Sequence, residues 1–292
     1  MDKEFILGIG SQRAGSTFIS RLLDQHLEIA FHPLKELHYF DTLFGIRAER
    51  TLKDFSKEQL TREIHRLCNS ETLDFINSHW KWYLESNFKL LTEPISEIHY
   101  PSLFSGHKKI FSNNIRFVGE STPEYMLLNS SQISKMRELI NNSYILLICR
   151  NPLQRTISSF RLMMEYNRQV KTEDELNQFF LNLIKSENIW IKDQIRYSQY
   201  RKVKESYEKS FDKFLLLAYD DIISNPKYIL EKISCFLDLD FMTPQMFDFF
   251  EQRINSLSMK YTPSPQVLEQ LNNLLRVLSN DANELLGQAL TH

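Results

Sequence analysis

The amino-acid sequence predicts an α/β protein whose mostly parallel central sheet is flanked by helices. Three features carry that reading: four short apolar runs rich in β-branched or aromatic residues, long segments of helical spacing between them, and glycines gathered where the first run meets the first helix. Strands that alternate with helices require crossover connections, and crossovers cover both faces of a parallel sheet.

The first strand is Phe5 to Ile9. Gly8, Gly10 and Gly15 lie around its end, although the whole chain holds only 7 glycines. A helix from Thr17 to Leu27 follows. From about Asp41 to Asn114 the alternation stops: Phe55 to Leu67 and Leu73 to Leu84 have helical spacing and no clear strand intervenes. Residues 41–114 therefore read as a helical insert between the first and second strands, within a single domain spanning residues 1–292. The second strand is Ile115 to Val118, with a helix from Ser130 to Ile140. The third strand, Tyr144 to Cys149, leads into a helix from Leu153 to Met164, and Pro152 suits its start because proline fixes φ and lacks a donor. Helical spacing resumes through Glu187 to Tyr207. The fourth strand is Phe214 to Tyr219, and helices from Pro226 to Leu237 and Pro265 to Leu286 complete the chain.

A chain of 292 residues buries roughly three quarters of its unfolded surface, enough for a core without cross-links. Its 42% hydrophobic and 25% charged residues exclude a disordered or fibrous chain. Thirty-five basic against 37 acidic residues leave a net charge of −2, which argues against a nucleic-acid or anionic-membrane partner. Cys68, Cys149 and Cys235 are odd in number and far apart, so neither a disulfide framework nor a structural zinc site is expected, and a reducing, cytoplasmic setting is the simplest. No membrane-spanning run or leader pattern is seen. His26, His32 and His38 recur every six residues, a spacing that does not share a helix face, so no metal site is expected there.

The segment FILGIGSQRAGSTFISRLL reads as strand, tight turn and helix, a P-loop-like arrangement. Gly10, Gly15 and Thr17 hold the spacing of G-x-x-x-x-G-K-[ST], but Ser16 stands where the lysine belongs. Glycines let the backbone approach an anion, and the amides of the first helical turn point at it. Without the lysine that reaches the outer phosphates of a nucleoside triphosphate, an ordinary triphosphatase is disfavoured. Arg13 offers a cation from within the loop instead. The third strand, closing on ILLIC, is followed directly by Arg150, then Asn151, Pro152 and a helix carrying Ser158 and Ser159. Arg150 and Ser158 can converge on a second anion through charge-assisted hydrogen bonds. Two separate anion sites at the carboxyl ends of parallel strands suit a nucleotide phosphorylated at two places.

Together these segments resemble the sulfotransferase family, in particular the branch of heparan sulfate and bacterial small-molecule sulfotransferases. The loop containing Arg13, Ala14, Gly15, Ser16 and Thr17 looks like that family's site for the 5′-phosphosulfate of 3′-phosphoadenylyl sulfate (PAPS), and CRNPLQRTISSF looks like its 3′-phosphate motif, with Arg150 and Ser158 as contacts. KELHYFD, residues Lys35 to Asp41, is similar to the family's acidic motif, and GESTPEY sits at the end of the second strand. One position departs: heparan-type members carry a lysine after that glutamate, where this chain has Ser121.

The resemblance implies in-line transfer of a sulfuryl group from PAPS to a hydroxyl or amine of a small-molecule acceptor, with PAP as product and no metal required. Glu36 matches the family's catalytic glutamate and is the candidate base; Lys35 is the candidate for charge near the departing oxygen, and His38 assists or replaces Glu36. Trp80, Trp82 and Tyr83 are candidates to line an acceptor pocket, though Trp80 and Tyr83, three apart, also suit a helix packed against the sheet. Arg253 and Lys260 are candidates to close over the donor. Two alternatives compete: a kinase-like phosphotransferase using ATP, magnesium and Asp220 or Asp221, and a nucleotide-binding module that transfers nothing.

Overall fold

The computed structural model describes residues 3–106, 114–167, 172–251 and 259–289. Its centre is a five-stranded parallel sheet of order β2-β3-β1-β4-β5. The strands are β1 (Glu4–Gly10), β2 (Ile29–Phe31), β3 (Phe117–Ser121), β4 (Ser143–Cys149) and β5 (Lys213–Ala218). Every residue of β2, β3 and β4 is buried. That is why these strands read as unbroken apolar runs and not as alternating ones.

The sequence reading finds four of these strands and misses β2. Three residues are too few to display a period, and the first helix, expected to reach Leu27, stops at Asp24. There the Asp24 carboxylate turns back to accept the Phe31 amide at 2.8 Å. The helical stretch consequently lies between β2 and β3, and not between the first two strands of the sheet. The expected helix from Glu187 to Tyr207 is likewise two, Ile189–Arg196 and Tyr200–Glu208. Arg155 breaks it: its guanidinium takes the Gln194 carbonyl at 2.5 Å and the Ser198 hydroxyl at 3.0 Å, capturing groups at the helical turn where the first helix stops. Helices Glu173–Lys185, Tyr219–Ser224 and Pro244–Phe250 were not anticipated.

The chain divides into two compact units. Unit 1 comprises Met1–Ile9, Ile19–Leu146 and Lys209–Phe214. Here β3 runs parallel to β1, with Glu4 opposite Phe117 and Gly8 opposite Ser121, and β2 pairs with its other edge, Phe31 opposite Gly119. Unit 1 also holds helices Glu49–Asn69 and Ser78–Thr92, the second capped by the Asn77 side chain on the Trp80 amide. Trp82 is buried, and its indole N–H donates to the Leu103 carbonyl at 2.6 Å.

Unit 2 comprises Gly10–Phe18, Leu147–Glu208 and Leu215–His292. Its core gathers Phe160, Phe180, Tyr261, Val267 and Leu271. The Phe160 and Phe180 rings stack with centroids 4.0 Å apart, fixing helix Pro152–Asn167 against helix Glu173–Lys185. None of the described helices is long and apolar enough to cross a membrane.

Gly119 shows how tightly β3 is held. A Cβ there would lie 2.6 Å from the Phe31 ring and 2.9 Å from the Ile6 carbonyl oxygen. Gly119→Ala is expected to cost about 1–3 kcal/mol through overpacking, read as a lower denaturation midpoint in urea.

Candidate active site

In unit 2, the loop after β1 is tied to β4 before the helix begins. The Ser11 amide and hydroxyl both donate to the Ile148 carbonyl, at 2.9 and 3.0 Å. Arg13 adopts φ 65°, a left-handed conformation uncommon for a side-chain-bearing residue. Ala14 is buried, Gly15 has φ +88°, and Ser16 opens helix Ser16–Asp24 with Thr17 in its first turn. A Cβ on Gly15 would come 3.2 Å from the Tyr219 ring. Glycine is thus required twice over, by conformation and by contact.

The structure brings the two predicted arginines together more closely than two separate pockets would require. Arg150 donates from Nη1 to the Arg13 carbonyl at 2.8 Å, while Arg13 Nε donates to Ser158 Oγ at 3.2 Å. Ser158, expected to serve the same anion as Arg150, is held by the arginine of the first loop. The Arg150 guanidinium lies over the Tyr219 ring, 4.2 Å from its centroid, and its carbonyl accepts the Tyr200 hydroxyl at 2.9 Å. Burial, then the neighbouring Arg150 charge, lowers the Arg13 pKa; burial lowers that of Arg150. Both guanidiniums spend these hydrogen bonds on neutral oxygens, and Arg150 Nε is buried with no partner among the described residues. Partly buried cations bonded only to neutral groups form an anion-binding arrangement.

Tyr219, Tyr200 and Arg155 escaped the sequence reading. Arg155 is fully buried and bonds Gln194 and Ser198. The local signal for Tyr219 was its place after β5, where the segment was read as strand to its last residue. Asp220 and Asp221 fall in the first turn of helix Tyr219–Ser224, Asp220 being exposed. Arg253 lies outside the described residues, and Lys260 is exposed.

The second cluster belongs to unit 1. The segment from Lys35 to Tyr39 hangs from the end of β3. The Ser121 amide donates to the Lys35 carbonyl at 2.7 Å, the Leu37 amide to Glu120 Oε2 at 3.5 Å, the His38 amide to Thr122 Oγ1 at 3.3 Å and the Tyr39 amide to the Tyr125 hydroxyl at 3.2 Å. Lys35 and His38 take φ 61° and 50°, so this loop, like Arg13, stores backbone strain that its hydrogen bonds over-determine. Glu120 is fully buried, which raises its pKa to about 7 despite hydrogen bonds from Thr122 and Tyr125.

Within this frame Lys35 Nζ meets Glu36 Oε1 at 2.5 Å, and His38 Nε2 lies 3.6 Å from Glu36 Oε2. On its other side His38 Nδ1 meets Asp41 Oδ2 at 2.9 Å, and Arg47 bridges Asp41 and Glu124 at 3.1 and 3.3 Å. Burial lowers the His38 pKa, but hydrogen bonds to Asp41 and Glu36 outweigh it and raise it to about 9. For Glu36, burial pushes up, and the hydrogen bond from His38 with the charge of Lys35 prevails, bringing it down to about 2. At neutral pH the pair is an imidazolium against a carboxylate, and only Glu36, its side chain 35% exposed, is positioned to accept a proton. Arg47 is the member that sequence reasoning missed; Asp41, Glu120 and Glu124 stand within the motifs KELHYFD and GESTPEY but were given no role.

Glu36, His38 and Glu124 also present ligand atoms within 4.8 Å of one another, the geometry of a small metal site. The charges weigh against it. Three cationic side chains, Lys35, His38 and Arg47, already face three carboxyl groups, Glu36, Asp41 and Glu124, leaving no surplus negative charge for a divalent ion. His32 is separate: its ring meets Ser86 Oγ at 3.0 Å and Trp82 edge-to-face, and burial lowers its pKa to about 3.

Comparison with known proteins bears on the family and the fold. A Dictyostelium discoideum protein named membrane-associated sulfotransferase kil1 is 22% identical over 206 residues, 69% of this chain and 32% of that protein, so the chain spans about a third of that relative's length. The crystal structure of a sulfotransferase from Alicyclobacillus acidocaldarius superposes with a TM-score of 0.59 at 17% identity, covering 98% of this chain and 96% of the other, and shares its fold. The sequence profile of the sulfotransferase family matches residues 5–244, which include every candidate residue of both clusters, and the chain belongs to that family.

Proposed function

We propose that the protein transfers a sulfuryl group from PAPS to a hydroxyl or amine of a small-molecule acceptor, within one sulfotransferase domain whose residues 41–114 shape the acceptor side. The observation that carries the donor assignment is the Arg13–Arg150 juxtaposition, in which each cation is hydrogen-bonded to a neutral oxygen and Arg150 Nε is buried without a partner among the described residues. Arg13, Arg150 and Ser158, with the backbone of Ala14, Gly15, Ser16 and Thr17 at a helix N-terminus, hold the phosphates of the donor. The unpaired cysteines suit a reducing, cytoplasmic setting.

In the transfer step the acceptor oxygen or nitrogen forms a bond to sulfur while the bond from sulfur to the 5′-phosphate oxygen breaks, and that electron pair leaves with PAP. Glu36 takes the acceptor proton. A carboxylate held as low as about 2 is a weak base, so it accepts the proton late, once bonding to sulfur has made it acidic. Lys35 places positive charge by the departing oxygen, and His38, already protonated, orients Glu36 without receiving a proton. The fixed cations make a metal unnecessary for neutralising the leaving group.

Adenosine 3′,5′-bisphosphate should stabilise the protein by roughly 2.7 kcal/mol at a hundred times its Kd in a thermal-shift assay without metal, while ATP with magnesium should not; the reverse result favours a kinase. Glu36→Gln should lower turnover by about 10²–10⁴-fold and leave bisphosphate affinity intact; near-normal turnover removes Glu36 from the mechanism. Binding of the bisphosphate with no transfer to any acceptor would favour the non-catalytic module.

The pH dependence follows from His38. Its folded pKa of about 9 lies above the reference 6.5, so its stabilisation is complete below pH 6.5 and lost as pH rises through 9. Denaturation midpoints of the wild type should fall across that window, and His38→Gln should flatten that part of the profile.

A further inference from the structure

The helical pair between β2 and β3 forms a cleft open to solvent, with a volume of about 290 Å³, to which neither the candidate catalytic nor the candidate donor cluster contributes a side chain. Arg62, Glu63 and Arg66 reach it from helix Glu49–Asn69, Phe75 from the connection, and Trp80 and Tyr83 from helix Ser78–Thr92. The volume stands just under the roughly 300–1,000 Å³ typical of small-molecule sites, room for one ring with a short substituent inside the cleft.

Its walls are aromatic. Phe75 and Trp80 meet edge-to-face with centroids 5.5 Å apart, and the Arg66 guanidinium lies 4.2 Å over the Phe75 ring. Its charge is unbalanced. Glu63 is buried and accepts the Trp80 indole N–H at 3.0 Å, yet this one carboxylate serves two guanidiniums, Arg62 at 3.4 Å and Arg66 at 3.5 Å. Both contacts exceed the roughly 2.7–2.9 Å of strong charge-assisted bonds. Arg62 has further partners in Gln59 and the Tyr83 hydroxyl, so Arg66, its side chain 54% exposed, carries the surplus positive charge. A ring satisfies the walls and one negative charge satisfies Arg66; a cation would be repelled.

The cavity is also linked to the catalytic loop of the same unit. Pro33 contributes to its wall three residues before Glu36. The preceding His32 is bonded to Ser86 and packed on Trp82, both on the helix that carries Trp80 and Tyr83.

We propose that this cavity binds a monocyclic aromatic compound bearing one anionic group and, resting on the sulfotransferase reading above, that this compound is the acceptor. The probe is 4-hydroxyphenylacetate, titrated calorimetrically into the full chain without donor, beside tyramine, which inverts the charge, and cyclohexylacetate, which removes the ring. Saturable binding with at least a roughly tenfold preference, about 1.4 kcal/mol, over both comparators is expected, weakened by a similar factor in Trp80→Leu and in Arg66→Gln. Arg66 is exposed enough that its variant folds even if Trp80→Leu does not. Absence of saturable binding, equal affinity for the comparators, or unchanged affinity in a folded Arg66→Gln overturns the site. With donor added, Arg66→Gln should raise KM for the phenol about tenfold and leave KM for PAPS unchanged; an unchanged phenol KM overturns the acceptor assignment. Ring binding that the variants weaken, with no sulfuryl transfer to any acceptor, upholds the cavity and refutes the sulfotransferase reading alone.

Discussion

Two guanidinium groups brought together on neutral partners are the constraint on which the candidate anion site of unit 2 depends. Like charges that are partly withdrawn from water repel, and the chain offsets this with backbone and aromatic contacts, Glu165 and Asp220 acting on the arginines only through space. Arg150 is fastened to the Arg13 carbonyl and covers the Tyr219 ring, Tyr200 holds the Arg150 carbonyl, and Gly15 leaves space for Tyr219. Arg155, buried beneath, follows the same pattern with Gln194 and Ser198. A carboxylate would have made each cation cheaper to bury and would have cancelled the positive potential. Neutral partners fix the geometry and leave the charge available to a ligand.

The candidate catalytic cluster is built on the opposite principle, with cations set directly against carboxyl groups. Glu36 faces Lys35 and His38; Asp41 and Glu124 face His38 and Arg47. Matching keeps Glu36 ionised and His38 protonated, and on the proposed mechanism this divides the roles of base and orienting cation in advance. Left-handed backbone at Lys35 and His38 costs on the order of 1–3 kcal/mol each, and four backbone amides donating to or from the end of β3 hold it in place.

Much of this was legible in the sequence, and the misses have physical causes. Four strands were found because buried parallel strands are continuous apolar runs; β2 was lost because Ile29–Phe31 is shorter than any period. The break at residues 197–199 was invisible because a distant residue, Arg155, makes it. Helix Glu173–Lys185 was missed although a usable signal was present: Thr172 and Glu175 form a reciprocal capping box whose spacing stands in the sequence. At the sites, GESTPEY was picked out but its Glu120 and Glu124 were given no role, because their partners, like those of Arg47 and Tyr219, arrive through tertiary contacts. Pairing of Arg13 with Ser158, 145 residues apart, is a further case.

Ser121, the departure from the heparan-type pattern, becomes intelligible in the same terms. It stands opposite Gly8 in the β1–β3 register and is buried, and a Cβ on Gly8 would collide with the Ser121 side chain. The strand pair is therefore packed for a small residue at this point, and a long cationic side chain would have to leave the sheet by another route. What Ser121 supplies is its backbone: its amide holds the Lys35 carbonyl, and so fixes the left-handed turn that carries Lys35 Nζ to Glu36. On the proposed mechanism the cation beside the departing oxygen thus comes from the loop, and position 121 contributes by setting that loop's conformation.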